Sequence, residues 1–290
     1  MIAILGGLAA ALSWGTATVS SSRASRVVGA TSTLGGVMLV GLVVSLPIAL
    51  ASGFPSGLDA EHVGWLAIAG VGNVLGLLLE YRGLRLGKVG VVAALASTEG
   101  ALTAVIAIVL GESVSVATAS VLAVIAIGVV LASIGPDEVI APPRPGEIAH
   151  EGRARAAAAY GIGAAVTFAV SLYATARLGE VVSVPWVLAS VRAVGVAGVA
   201  LPATVAGRLE LRRSVMPYVT LSGVLELAGF AAFTFGSRHS IAISAVLASQ
   251  FAALAAVGAF VLFRERLARV QLVGVATILV GVGVLAGVRG

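Results

Sequence analysis

The sequence has no cysteine, which excludes disulfides and thiolate metal sites and leaves the redox compartment unwritten. Charge is also scarce. Only 11% of the 290 residues are Asp, Glu, Lys or Arg, against roughly a quarter in a soluble domain. Histidine is nearly absent: His62, His150 and His239 fall in loops or at the ends of apolar runs. There is no His-Glu-x-x-His, no Gly-x-Ser-x-Gly and no aspartate pair, so an intramembrane enzyme lacks its catalytic set. No cofactor and no metal site is expected.

What is present is apolar. Hydrophobic residues make up 59% of the chain and the mean hydropathy is +1.10, so the chain belongs in a bilayer. Ten apolar runs can be drawn: 2–20, 30–52, 63–81, 89–110, 115–134, 157–176, 184–204, 216–235, 241–262 and 269–287. Most have the roughly 20 residues that span about 30 Å of hydrocarbon. The 37 glycines fit membrane helices packed closely through small side chains. The first run has no basic leader, and a second follows at once, so 2–20 reads as a retained helix rather than a cleaved signal. A net charge of +5 is compatible with nucleic-acid binding, but the charges sit in short loops between spans, where they signal topology. The partners expected are therefore the lipid bilayer and a small molecule, with no nucleic acid, in a multi-pass protein of the cell membrane. Oligomeric state is not legible.

The chain repeats itself at an offset of about 153 residues. Gly70-Val71-Gly72-Asn73-Val74-Leu75-Gly76 returns as Gly223-Val224-Leu225-Glu226-Leu227-Ala228-Gly229, and Leu95-Ala96-Ser97 as Leu247-Ala248-Ser249. Each copy holds five runs, an odd number, so the second copy enters the membrane from the opposite side. The fold class expected is an all-α integral membrane protein of ten transmembrane helices in two inverted five-helix repeats. One repeat covers 1–134 and the other 157–290, with a polar, proline-rich linker over 135–156. Positive charges support the inversion. Arg23, Arg26, Arg82, Arg85, Lys88, Arg144, Arg153, Arg155, Arg208, Arg212, Arg213, Arg264, Arg266 and Arg269 fall in alternate loops, against Arg177, Arg238 and Arg289 on the other side. The positive-inside rule puts both termini outside the cytoplasm.

Function should lie in the few polar side chains at mid-span, because an ionisable group at the bilayer centre costs at least about 2.5–3.5 kcal/mol and faces the bundle interior. Glu99, beside Ser97, Thr98 and Thr103, is either a substrate or proton carboxylate or one held structurally by an arginine. Glu226 and its repeat partner Asn73 each lie between glycines three residues away on either side. That stripe permits close helix approach, with Asn73 equally readable as a packing hydrogen bond. Arg192 keeps its charge and pairs with Glu99 or Glu226, meets an anionic part of the substrate, or snorkels outward. Trp14 walls a cavity or simply packs. Gln250 is a candidate cavity donor. Glu112 and Glu265 read as caps or loop salt bridges at matching helix ends, and Glu80-Tyr81-Arg82 as the interfacial end of span three.

These patterns together resemble the drug/metabolite transporter superfamily, specifically the EamA type, over nearly the whole length. The resemblance rests on Ser13-Trp14-Gly15, on span four ending Leu110-Gly111-Glu112, on Phe263-Arg264-Glu265-Arg266-Leu267 in the second copy, and on the glycines of spans five and ten. It implies a secondary carrier that moves small metabolites, often amino acids and often outward, through a central cavity between the halves. Glu99-Gly100 looks like a relative of the Glu-Pro pair of some amino-acid exporters, although the prolines common in spans four and nine are absent. The resemblance also implies cytoplasmic termini, opposite to the charge count. The mechanism expected is alternating access around Glu99, Glu226, Asn73, Arg192, Trp14 and Gln250, with protons as a candidate coupling ion carried by Glu99 or Glu226. Rival readings are a flippase for a lipid-linked substrate, an ion carrier, and a non-transporting scaffold.

Overall fold

The computed structural model describes residues 1–87, 89–133, 148–179, 181–254 and 269–288. Lys88, Glu265, most of the linker and the end of span nine lie outside the described residues. All regular structure within them is helical, as a bilayer requires of any chain that does not close a barrel. The helices are α1 (Ile2–Ala51), α2 (Ala60–Leu86), α3 (Val89–Ala96), α4 (Glu99–Val109), α5 (Val116–Ser133), α6 (Ile148–Gly179), α7 (Val184–Gly195), α8 (Leu201–Val205), α9 (Met216–Ser237), α10 (Ile241–Ala248) and α11 (Arg269–Val288). A π-helical turn, Val196–Ala200, joins α7 to α8. Among the described residues, six helical stretches are long and apolar enough to cross a membrane, and three further apolar helices are shorter. Large apolar side chains such as Leu12, Val43, Val109 and Leu279 face outward, toward lipid.

Three local departures from the sequence expectations have clear causes. Spans one and two are not separated by a loop. Helix continues through Arg23 and Arg26, and the only break in α1 is Gly29, at φ 83° and ψ 162°. That region is open essentially to glycine alone. The linker's final residues, 148–156, are already part of α6. Span four is interrupted between α3 and α4. There Ser97 Oγ donates to Ala94 O and Thr98 Oγ1 to Leu95 O, both at 2.7 Å, while the Thr98 N–H turns back to Leu95 O at 3.2 Å. Hydroxyls that bond the preceding turn compete with the regular ladder and tighten it. The same happens after α10, where Ser249 Oγ donates to Val246 O and the Gln250 N–H to Leu247 O.

Packing pairs the two halves crosswise. α1 lies chiefly on α9 and α2 on α6, while α4 meets α10 and α5 meets α11. Individual contacts answer one another. A Cβ at Gly76 of α2 would strike the Phe168 ring of α6, and one at Gly229 of α9 would strike Trp14 of α1. Gly128 of α5 faces Ile278 of α11, as Gly281 faces Ile125. Ser171 Oγ donates to Ala69 O at 2.7 Å, and Ser222 Oγ to Ala17 O at 3.2 Å. Adding 153 or 154 to one member and exchanging halves turns each contact into its counterpart.

Polar caps finish the exposed helix ends. Asp59 caps α2, its carboxylate accepting the His62 N–H at 2.9 Å, and that backbone bond holds Asp59 below the ordinary aspartate range.

Candidate functional site

A small cavity of about 20 Å³, room for about one water, lies where the halves meet. Trp14 and Thr18 of α1, Leu77 and Glu80 of α2, and Glu99 in the first turn of α4 form one wall. Phe168 and Leu172 of α6, Glu226 and Phe230 of α9, and Phe251 form the other. Helical spacing explains the selection. Trp14 and Thr18 are four apart, as are Phe168 and Leu172, and Glu226 and Phe230, so each pair shares a face. The interruption before Glu99 starts α4 with its carboxylate directed to the interior. Glu99 is 4% exposed, and among the described residues its carboxylate has no hydrogen bond and no ion pair. The alternative in which an arginine holds Glu99 is therefore not what these residues form.

Arg192 stands behind the cavity, fully buried. Nη1 donates to Asn73 Oδ1 at 3.2 Å, and Nη2 lies 3.9 Å from Glu226 Oε2. The guanidinium also sits 5.2 Å from the centre of the Phe230 ring, a cation–π contact. Of the two carboxylates expected as its partner, Glu226 is chosen. The Arg192 stem crosses Gly41, where a Cβ would come within 2.8 Å of Cδ, while Met38 crosses Gly195 in the same manner. Met38 and Arg192 thus occupy equivalent places in the two halves, 154 residues apart, and Nη1 lies 3.6 Å from Met38 Sδ. Asn73 and Glu226 are equivalents as well, so one arginine bridges the matching positions of both repeats. Nε and Nη2 of Arg192 and Nδ2 of Asn73 are buried without a hydrogen-bond acceptor among the described residues.

The site residues expected from the sequence divide accordingly. Trp14, Glu99 and Glu226 line one cavity. Arg192, itself bonded to Asn73, faces Glu226 from behind it. Gln250 is buried with its amide nitrogen unbonded, but the cavity wall at that stretch is the neighbouring Phe251. Trp14 packs its ring edge-on to Phe230 at 5.1 Å, so it both packs and walls.

Glu80 corrects the sequence reading. It is not interfacial: α2 runs on to Leu86, and Glu80 is 4% exposed in the cavity wall, accepting from Thr18 Oγ1 at 3.3 Å. The signal was available, because Glu80 lies seven residues beyond Asn73 and therefore two turns along the same face. Glu112 is a cap, as expected, and it crosses between halves. It accepts from Ser240 Oγ at 2.6 Å and from the Ala242 N–H at 3.1 Å, at the start of α10.

Outside this cavity, Arg82, Arg85 and Arg208 line an open cleft beside Gly29. None of them reaches the cavity wall.

Comparison with known proteins adds three findings. The profile of the EamA-like transporter family matches residues 1–134. No curated protein matches the sequence. A solved structure, described as a crystal structure of a protein, is similar with a TM-score of 0.74 and 18% identity, over 98% of this chain and 98% of that one. At that identity the likeness concerns the fold.

Proposed function

We propose, from the match of residues 1–134 to the EamA-like transporter family, which belongs to the drug/metabolite transporter superfamily, that this chain is a multi-pass membrane transporter, a secondary carrier of a small metabolite in the cell membrane. Amino acids and related amines are the first class to consider, and export is the expected direction. Residues 1–134 and 157–290 act as two inverted five-helix repeats that rock about the cavity. The reciprocal contacts between α1 and α9, and between α2 and α6, support a two-fold relation between the halves.

One observation carries the reading: a cavity with three acidic side chains, Glu80, Glu99 and Glu226, sits at the meeting of the halves beside an interrupted helix. Ionisable groups so placed mark substrate or proton pathways in membrane proteins, and interrupted helices recur at the midplane sites of carriers. Glu99, which has no partner among the described residues, is the best candidate to exchange a proton for substrate. Glu226, engaged with Arg192, is second.

The test uses protein reconstituted in vesicles, with counterflow of labelled amino acids and amines read with and without an imposed pH gradient. Gradient-driven movement should appear in the native protein and be lost in Glu99→Gln, while gradient-independent exchange persists. Gradient-driven movement that survives in both Glu99→Gln and Glu226→Gln would remove the proton role.

A further inference from the structure

A second opening lies away from the acidic cavity, at the end of the bundle where α1 breaks. It holds about 900 Å³, within the ordinary range for ligand sites. Its walls come from both halves. Residues 28–32 of α1 and the C-terminal turns of α2 belong to the first, and Tyr160 of α6, the π-helical turn and α8 to the second. Spacing fixes what the walls present. Leu78, Arg82 and Arg85 fall four and three residues apart on one stripe of α2, and Val199, Pro202 and Ala206 fall three and four apart beyond α7. Two glycines keep the space clear. A Cβ on Gly198 would meet nothing within 4 Å, and one on Gly29 only Nη1 of Arg85, at 3.8 Å. Ser32 holds Arg208 at the mouth: its Oγ donates to Arg208 O at 3.3 Å and accepts the Glu210 N–H at 3.1 Å.

The charge here is of one sign. Arg82, Arg85 and Arg208 are exposed, and no Asp or Glu lines the cleft. Among the described residues none of the three side chains has an ion pair or a hydrogen bond, and Glu210 is taken by Arg212 at 3.2 Å. Guanidinium groups match the oxygens of a phosphate. The rest of the wall, including Leu78, Val199, Pro202 and Ala203, is hydrocarbon. It runs onto side chains turned toward the bilayer, Leu201 at 57% and Val205 at 81% exposed. A dissolved anion would gain nothing from that wall, whereas a phospholipid uses both parts. We infer that the cleft seats one anionic phospholipid, its phosphate among Arg82, Arg85 and Arg208 and an acyl chain along Leu78, Val199 and Pro202. Basic pockets between transmembrane helices take such head groups. Because the arginines come from opposite halves, the lipid bridges them on this face. The inference needs the chain to lie in a bilayer, and does not need it to carry a solute.

The test is lipid binding to the full chain in detergent, read by native mass spectrometry. Dioleoyl phosphatidylglycerol and dioleoyl phosphatidylcholine are the probes, alike in phosphate and chains and different in net charge. Phosphatidylglycerol should bind at least about fivefold more tightly. Each of Arg82→Gln, Arg85→Gln and Arg208→Gln should lower its binding by about fivefold. Arg212→Gln with Arg213→Gln, in the same loop as Arg208 but outside the cleft, should leave it unaltered. Equal binding of the two lipids, equal losses in the control and the cleft variants, or no binding of phosphatidylglycerol overturns the inference. Free glycerophosphate separates the sources. If it displaces the lipid at comparable concentration, the cleft is a site for a dissolved phosphate and the inference falls as well. The lipid comparison and this competition use the native chain, so they decide even where a variant misfolds. Vesicle transport addresses the carrier reading independently. Loss of lipid selectivity leaves that reading standing, and a lipid-binding chain that moves no solute removes it alone.

Discussion

Arg192 is the residue on which the interior depends. Its guanidinium is buried, and removing it leaves Glu226 charged and unpaired, a loss of about 3–5 kcal/mol for a broken buried pair. Arg192→Met copies the side chain that the first half places at the equivalent site, Met38, so it fills the space and removes only the charge. The expected outcome is a large fall in the thermal unfolding midpoint in detergent, with most of it recovered when Glu226→Gln accompanies the change. A double variant no more stable than the single one would show that the pairing carries little weight. At this scale the sequence was informative wherever a polar residue interrupted an apolar run. Glu99 and Glu226 could be read because function or pairing is what explains a carboxylate at that depth; Trp14 could be read only as a wall or as packing. Glu80 was missed because hydropathy alone ended its helix near Tyr81, whereas tertiary contacts with α6 carry α2 on to Leu86. The position of Arg192 was legible but its partner was not, since the choice between Glu99 and Glu226 depends on how helices from different halves cross.

At the scale of helices, two features invite direct measurement. Gly29 holds a backbone conformation that other residues adopt only under strain. Gly29→Ala should therefore cost about 1–3 kcal/mol, read as a lower unfolding midpoint, although a methyl group there would meet little besides the tip of Arg85. An unchanged midpoint would mean that the turn at Gly29 accepts a side chain without strain. Glu112 caps α10 from the opposite half. Glu112→Ala should release about 1–2 kcal/mol of capping and speed amide hydrogen exchange at Ala242 before the rest of α10 responds. Hydropathy located the helical stretches well, because about 20 apolar residues are hard to place otherwise. It placed a loop around Arg23 and Arg26 where helix runs on to Gly29. The chain does reverse there, as its contacts along α9 show, but a reversal made at one glycine leaves almost no loop residues to read. The interruption at Thr98 leaves only hydroxyl-bearing residues as its trace.

For the whole molecule, the natural absence of cysteine gives a silent background for labelling. The loops 52–59 and 206–215 are equivalent in the two halves. Ser56 and Ser214 are both exposed. With inverted repeats, Ser56→Cys and Ser214→Cys should react with an impermeant maleimide from opposite faces of the membrane in oriented vesicles. Reaction of both from the same face would make the repeats parallel. The repeat itself was visible because glycines needed for close approach recur at one offset. Its hand in the membrane was inferred from an odd span count and the alternation of arginines, neither of which depends on side-chain detail.

Met38 and Arg192 occupy matching seats in the two halves, yet only one of them is a cation. For halves that trade roles during a cycle, interchangeable seats would leave the carrier resting equally often toward either face. If the halves do trade roles, a lone guanidinium anchored to Glu226 breaks that parity, and the empty protein should lean toward one face before gradient or cargo acts. Levelling it with methionine on both sides should shift the resting population as well as the stability.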